Sequence, residues 1–377
     1  MGKITTTQQD SWTWAASNSG ISQNIEKVGL ITRLLFTVEI IPSATLTAAN
    51  QPDGLFRPLQ NLVIKGDGVT FIELPGDAGG GGGTLLHYMG QMDGFGYGHR
   101  AGSIAAPQTL YTAVNFPIHI GSRPKDLYGR DNPYDLSGFI PAFNMGSLTG
   151  VWTTAGNDVL DDTVTLSSAV MYLTISRVED SDEGIVAEMG RQGIVLPKAS
   201  DMNIRGMVPS WIQRQHPNAA ATTSFAGEVE DVPGGGFLKR ISMLFQDATA
   251  TRPVRATDEV TEAALYYSAD SRQLFAHHAE VEYSSRLLGS NLKLGDTVGA
   301  SVDNSVDFNA QSPRGLMFFD LRTQANFPVG KDYGLDLRPP YVTGQLKLGF
   351  IIGIYASGDD TLIIWERYQP YAGRLGR

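Results

Sequence analysis

The stretch that most constrains the fold lies near the C-terminus. Thr343-Gly-Gln-Leu-Lys-Leu-Gly-Phe-Ile-Ile-Gly-Ile-Tyr355 runs into Ala356-Ser-Gly-Asp-Asp360 and then Thr361-Leu-Ile-Ile-Trp-Glu-Arg-Tyr368. Leu346, Leu348, Phe350 and Ile352 recur at every second position, which places them on one face of a strand. Ser357, Gly358, Asp359 and Asp360 are turn residues, and Leu362 to Trp365 read as a return strand. The run is expected to form a β-hairpin.

Similar text occurs about 180 residues upstream. The segment from Asp162 to Arg177 is a long strand-like run, and it also closes a block of β-type sequence. A second echo links residues 52–64 with 233–245, each a Gly-containing turn followed by an aromatic, a basic residue and alternating apolar positions. Two echoes at one offset point to a duplicated unit.

Composition narrows the function. The chain has 377 residues, enough for two or three domains of ~150 residues with a substantial core. Charged residues make up 18%, below the ~25% usual for soluble domains. Together with Gly 43 and Pro 19, this suggests short strands joined by turns, with much surface covered by other chains. The net charge of −10 argues against nucleic acid as the main ligand, because phosphate binding needs clustered Lys and Arg. The absence of Cys removes disulfides, thiolate metal sites and a Cys nucleophile. No apolar run reaches the ~18 residues of a membrane helix, and the N-terminal residues carry no signal-peptide apolar region. Gly2 and Thr6 match the loose myristoylation pattern, which is read as coincidence.

Residues 1–27 are polar, with Trp12 and Trp14 embedded and only Lys3 and Lys27 basic. An extended arm is expected, its tryptophans docked on this subunit or a neighbour. Strands are expected over 29–41, 61–65, 69–74, 111–120, 136–141 and 163–178, with Gly66-Asp67-Gly68 as a hairpin turn. Residues 79–83 are all Gly, and they read as a flexible surface loop leading into a short helix at Thr84-Leu-Leu-His-Tyr, because the Walker Lys-Ser/Thr is missing. Gly94, Gly96 and Gly98 do not complete a dinucleotide fingerprint. The second block opens near Trp211, with strands over 223–232, 237–245, 316–321 and 333–337. Residues 256–288, rich in Ala, Glu, Arg and Leu, are expected to be helical, with Leu274, His278, Val281, Ser285 and Leu288 at helical spacings.

Catalytic constellations are missing from the text: there is no His-Glu-x-x-His, no Gly-x-Ser-x-Gly and no Walker motif. The histidines are His87, His99, His119, His216, His277 and His278. The adjacent pair, if helical, points ~100° apart and is a poor metal site. The acidic run 179–184 lacks the EF-hand ligand order and reads as a solvated loop between domains. Asp161-Asp162 and Asp359-Asp360 precede the closing strands of each block, and turn Asp residues ordinarily satisfy their own backbone. A glycosidase pair needs two carboxyls ~5–10 Å apart, which text cannot show. No catalytic residue, cofactor site or metal site is assigned.

The tandem β blocks, the run Gly54-Leu-Phe-Arg-Pro-Leu-Gln-Asn-Leu-Val-Ile64 and the closing segment 346–367 resemble the double jelly-roll major capsid proteins of tailless icosahedral double-stranded DNA viruses, many of which have an internal membrane. The resemblance spans most of residues 28–370 and is one of pattern. It implies an all-β fold of two tandem eight-stranded jelly-roll sandwiches with short helical insertions. The expected division is an arm over 1–27, a first jelly roll over 28–185, a connection over 186–210, a second jelly roll over 211–368 and a C-terminal arm over 369–377. It further implies a non-enzymatic homotrimer forming a pseudo-hexagonal capsomer in the virion shell, made in the host cytoplasm. The implied partners are neighbouring capsomers, minor capsid or penton proteins and, through the N-terminal arm, an internal membrane, without sequence-specific nucleic-acid binding. The alternative is a carbohydrate- or receptor-binding, spike-like β-sandwich, with Tyr97, Trp152 and Trp211 as candidate contacts. A third, a glycan-active enzyme, would need a carboxylate pair in a cleft.

Overall fold

The computed structural model describes residues 3–9, 11–13, 21–43, 56–74, 81–92, 112–120, 139–154, 166–179, 187, 207–247, 254–255, 259–268, 273–278, 315–321, 334–337 and 346–370. In chain order the first part contains β1 (Lys3–Gln8), β2 (Trp12–Thr13), β3 (Ile21–Asn24), β4 (Leu30–Pro42), β5 (Leu59–Gly66), β6 (Val69–Glu73), α1 (Gly81–Met92), β7 (Thr112–His119), β8 (Ile140–Pro141), β9 (Leu148–Thr154) and β10 (Leu166–Glu179). The second part contains β11 (Met207–Pro217), β12 (Glu228–Asp231), β13 (Phe237–Asp247), β14 (Val254–Arg255), β15 (Val260–Tyr267), β16 (Gln273–His278), β17 (Leu316–Asp320), β18 (Leu335–Asp336), β19 (Leu346–Ile352) and β20 (Asp360–Pro370).

Each part builds two antiparallel sheets. In the first part the orders are β1-β10-β4-β7 and β3-β9-β5-β6. In the second part the first sheet has the path β11-β20-β13-β14, with β17 pairing on β13, and the other sheet runs β12-β19-β15-β16. Matching β17 to β7 makes the two parts the same eight-stranded sandwich. The closing strand of each part, β10 or β20, lies between the opening strand and the long strand β4 or β13. That non-local closure is the jelly-roll connection.

Several elements differ from the sequence reading. The expected hairpin over 343–368 is an arch. β19 and β20 both form, but they pair in different sheets, β19 with β12 and β15 and β20 with β11 and β13. The intervening turn residues serve an arch as well as a hairpin, and neighbours distant in sequence decide between them. The turn at Asp67-Gly68 is a true hairpin, with Gly66 opposite Val69 and positive φ at both residues.

The expected arm over 1–27 supplies β1 and β2, which run along β10, and β3, which runs along β9. Its polar side chains suit edge strands with one wet face. β11 begins at Met207, inside the stretch expected to be connection, and β20 extends through Pro370. The helix expected over 256–288 is replaced by β15 and β16 wherever residues are described. Backbone pairing with β19 overrides the helical propensity of Thr261-Glu-Ala-Ala-Leu265. Val281, Ser285 and Leu288 lie outside the described residues.

The helix at 84–88 forms, but it starts at Gly81 and its residues 81–90 are buried, not a surface loop. Its sequence, Gly-Gly-Gly-Thr-Leu-Leu-His-Tyr-Met-Gly-Gln-Met, has no charged face to turn toward water. His87 stacks on Phe56 with ring centroids 3.9 Å apart.

The core explains why some strands alternate and others do not. In β4, Leu34, Phe36, Val38 and Ile40 enter the first sandwich, while Leu35, Thr37, Glu39 and Ile41 are half-buried. In β13, β17 and β20 nearly every residue is buried. Ile241, Met243, Phe245, Met317, Phe319, Ile363 and Trp365 fill the second sandwich. The intervening Leu244, Leu316, Phe318, Leu362 and Ile364 join the core of the first part instead. That sheet is a wall shared by both units, which is why its text reads as continuous apolar runs.

The duplication is visible at residue level. Gly29 precedes β4 with φ +64° and Gly236 precedes β13 with φ +71°. A Cβ at Gly29 would overlap the carbonyl oxygen of Val178, and one at Gly236 would overlap that of Tyr368. Both strands then skip one residue against the closing strand, between Ile31 and Arg33 in β4 and between Leu238 and Arg240 in β13. The equivalence therefore pairs β4 with β13, and the echo of 52–64 with 233–245 is not structural, because it matches β5 to β13 in the wrong sheet. Gly29→Ala and Gly236→Ala combine a left-handed backbone with a clash. Each is expected to lower the unfolding free energy by about 2–3 kcal/mol in urea titrations, against about 1 kcal/mol for Gly68→Ala, where φ is +81° and no atom lies within 4 Å.

Candidate assembly interface

The skipped residue gives a register between the two walls. Arg33 matches Arg240, Leu35 matches Ser242, Thr37 matches Leu244 and Glu39 matches Gln246 on the outward side. On the closing strands Tyr172 matches Leu362, Thr174 matches Ile364 and Ser176 matches Glu366. In the middle of the sheets the inward positions are apolar in both units, as a sandwich core requires (Phe36 and Met243, Ile175 and Trp365), while nearer one end Thr361 stands where the first unit has Met171. The outward positions diverge more.

On the second wall the outward side is covered within the chain. α1 packs on β13 and β6 packs on β11, and Ser242, Leu244, Gln246, Leu362 and Ile364 are all buried. Toward one end the cover is polar. Glu366, fully buried, accepts from Arg240 Nε at 2.5 Å and pairs with Lys239 Nζ at 3.2 Å. Lys239 also lies 5.8 Å from the centroid of the Tyr368 ring.

On the first wall the outward side is more polar and only half-buried. Tyr172 donates to Glu39 Oε2 at 3.2 Å, and Thr37 donates to Asn115 Oδ1 at 2.7 Å. Desolvation and the Glu39 carboxylate both push the Tyr172 phenol above its ordinary value.

At the end of each wall an arginine ties the preceding loop to the closing strand. Arg177 bridges Glu26 at 2.6 Å and Glu179 at 2.5 Å. Burial alone would lower its guanidinium, and the two carboxylates more than offset this, leaving it raised. At the equivalent place Arg367 donates to the carbonyls of Pro233, Gly234 and Gly235 and to Ser210 Oγ. With those neutral partners, burial pushes it down.

Among the described residues, those singled out from sequence do not converge. His277 and His278 lie in β16, a strand, and His119 lies in β7. His87 is buried in α1, with Nδ1 3.4 Å from the Asn115 carbonyl oxygen. His216 Nδ1 lies 3.1 Å from Glu230 Oε2, bridging β11 and β12 across the sandwich edge. Asp359 accepts the Ala356 backbone N–H, as expected for a turn residue. Glu179 pairs with Arg177, while His99, Tyr97, Asp161, Asp162 and residues 180–184 lie outside the described residues.

Trp152 and Trp211, the other candidate glycan contacts, are 0% and 5% exposed, so neither presents a ring face to a sugar. Sequence reasoning did not group Asp247, Glu259 and Asp359, whose carboxylate oxygens all lie within 4.8 Å of one another. Three carboxylates, from the end of β13 and from the two turns before β15 and β20, are a donor set suited to a hard cation. Their spacing along the chain follows no motif.

No family model matches the chain, and no curated protein matches it. Solved structures do. The STIV MCP, from the Sulfolobus Turreted Icosahedral Virus, aligns over 98% of this chain and 98% of its own at 14% identity and a TM-score of 0.67. The PBCV-1 virus capsid chain aligns over 98% and 94% at 9% identity and a TM-score of 0.57. The major capsid protein P2 from bacteriophage PM2 aligns over 98% and 100% at 8% identity and a TM-score of 0.52. The fold is a double jelly roll. Both sandwiches are matched in these alignments, so the double jelly roll is shared as a whole and not one sandwich at a time.

The shared wall makes one stability prediction. Glu366→Ala removes a fully buried carboxylate from beside the buried Lys239 and Arg240, and should cost about 3–5 kcal/mol. Replacing Lys239, Arg240 and Glu366 together by Met, Met and Leu removes the charge imbalance and should recover most of that loss. Urea unfolding of the two variants beside the parent chain checks the difference.

Proposed function

We propose that this chain is a major capsid protein, a structural subunit of an icosahedral virion shell. The observation that carries the reading is the end-to-end likeness of both sandwiches, in one chain and one order, to capsid proteins that are only 8–14% identical to this chain. A binding module or an enzyme needs one sandwich and a site, and nothing in that reading calls for a second sandwich rigidly joined to the first. The carbohydrate-binding alternative also loses two of its three aromatic contacts to the core.

In this reading the subunit is non-catalytic and resides in the virion. Three copies form a capsomer, six sandwiches giving a pseudo-hexagonal outline that tiles with its neighbours. The first jelly roll begins with β1 and ends with β10, the second spans β11 to β20, and the segment between them connects the two. Neighbouring capsomers are the main partners, with minor capsid or penton proteins where the lattice bends and an internal membrane beneath. The acidic balance of the chain, −10 overall, suits a shell that does not grip the genome by sequence.

Size-exclusion chromatography with light scattering, followed by negative-stain imaging of the same peak, tests this directly. A mass near three times 40.7 kDa with a hexagonal outline is expected. A monomer at every concentration, with no particle in its source, would contradict it, and glycan binding by that monomer would favour the spike-like module.

A further inference from the structure

At one end of the second sandwich the inner face turns from apolar to acidic. Thr361 of β20 stands between His216 of β11 and Phe245 of β13. One step further out, the Asn218 N–H donates to the Asp359 carbonyl at 2.9 Å, and Asp247 ends β13 just beyond Gln246, the partner of Asp360. Side chains alternate along a strand, so Asn218, Asp359 and Asp247 share the face of His216, Thr361 and Phe245. That face is the inner one, because Phe245 and Ile363 belong to the core of the second unit. Glu259 joins the row from the opposite sheet, just before β15, where its carbonyl accepts from the Gly353 N–H at 2.7 Å.

The first unit shows that the fold does not require this row. In the register of the two walls Asp359 matches Ala169 and Asp247 matches Ile40, both buried. Apolar packing closes the first sandwich at the place where the second has carboxylates. Glu259 and Asp359 are 4% and 1% exposed, and oxygens of all three carboxylates lie within 4.8 Å of one another. Like charges this close repel, and buried charges persist where they are paired or coordinate a metal.

Asn218 points to a ligand independently. It is 4% exposed, and its Oδ1 accepts from Thr361 Oγ1 at 3.1 Å. Among the described residues, its Nδ2 has no hydrogen-bond partner. Thr361 lies deeper in the sandwich, so Nδ2 is turned away from it, toward the mouth where the carboxylates lie. The two arms of an amide have the same shape. With the amide turned over, Nδ2 donates to the Thr361 hydroxyl, and Oδ1 becomes a fourth oxygen beside the three carboxylates.

We propose that Asp247, Glu259, Asp359 and the amide oxygen of Asn218 bind one hard divalent cation, Ca²⁺ in preference to Mg²⁺. Oxygens that ring one ion lie within twice the metal–oxygen distance of one another, about 4.8 Å for Ca²⁺, as these carboxylates do. Ligands from four separate segments make an irregular shell, which Ca²⁺ tolerates and Mg²⁺ does not, and water completes it. The ion ties the ends of β11, β13 and β20 to the start of β15, clamping the two sheets of the second sandwich together. The site belongs to the second unit and does not rest on the capsid reading.

Calorimetric titration of the EDTA-stripped full-length chain with CaCl2, and melting of the same sample, test the site. Saturable uptake of one Ca²⁺ per chain is expected, with Mg²⁺ at least ~10-fold weaker. Ca²⁺ at ~100 Kd should raise Tm by about 3–5 °C. Asp247→Asn and Asn218→Ala should each weaken binding at least ~10-fold. Without Ca²⁺, Asp247→Asn should melt no lower than the parent, because it relieves repulsion among the carboxylates. A carboxylate with only a structural role would lower Tm equally with and without Ca²⁺, which contradicts the proposal. The double variant Asp247→Ile/Asp359→Ala carries the first unit's residues, so it keeps the test open if a single variant fails to fold. It should lose both the uptake and the Ca²⁺-dependent rise in Tm. A parent that takes up no Ca²⁺, or uptake that survives unchanged in the variants as adventitious surface binding would, overturns the site.

Discussion

Burial of one sheet on both sides organises this molecule. β13, β17 and β20 send alternate side chains into two cores, Ile241, Met243, Ile363 and Trp365 into one and Leu244, Leu362 and Ile364 into the other. A sheet used this way cannot be wet on either side, so charge within it survives only when matched, as Glu366 is by Arg240 and Lys239. The wall also couples the two sandwiches. α1 carries no charged residue and is covered where it meets β13. The second unit depends on the same contact to shield Leu244, Leu316 and Phe318.

The two units keep the backbone devices of one ancestor-like plan and differ in what decorates them. A left-handed glycine and a skipped residue recur at the start of β4 and of β13, and a buried arginine recurs beside them near the end of β10 and of β20. The arginine has kept its place but changed partners. Carboxylates of Glu26 and Glu179 hold Arg177, whereas three carbonyls of a glycine-rich loop hold Arg367. Geometry tolerates that exchange because a guanidinium can donate to either kind of oxygen. Outward residues changed further, and in the direction that solvent dictates.

Much of this was legible in the chain. The period-2 pattern placed β4, β5, β6, β13, β17 and β19 closely, and Asp67-Gly68 announced its hairpin. Pairing was not legible. Residues 353–359 carry hairpin-like chemistry, yet they bridge two sheets because β20 has partners on both edges that are distant in sequence. The stretch Thr261–Leu265 looks helical because Glu and Ala favour helices, and only the presence of β19 beside it makes a strand. Polar residues near the N-terminus disguised β1 and β3, since an edge strand with one wet face needs few apolar residues. The candidate interface was hidden for a related reason. Thr37 and Tyr172 acquire meaning only beside Leu244 and Leu362, a comparison that requires the register.

The central claim is that the shared wall makes one cooperative body from two sandwiches. Native-state hydrogen exchange of the full chain in low concentrations of urea tests it most directly. The amides of α1 and those of β13 and β20 should exchange through a single opening of equal free energy and equal urea dependence. If α1 and β6 opened several kcal/mol more easily, with β13 and β20 still protected, the wall would be a surface between independent domains and the account would be wrong.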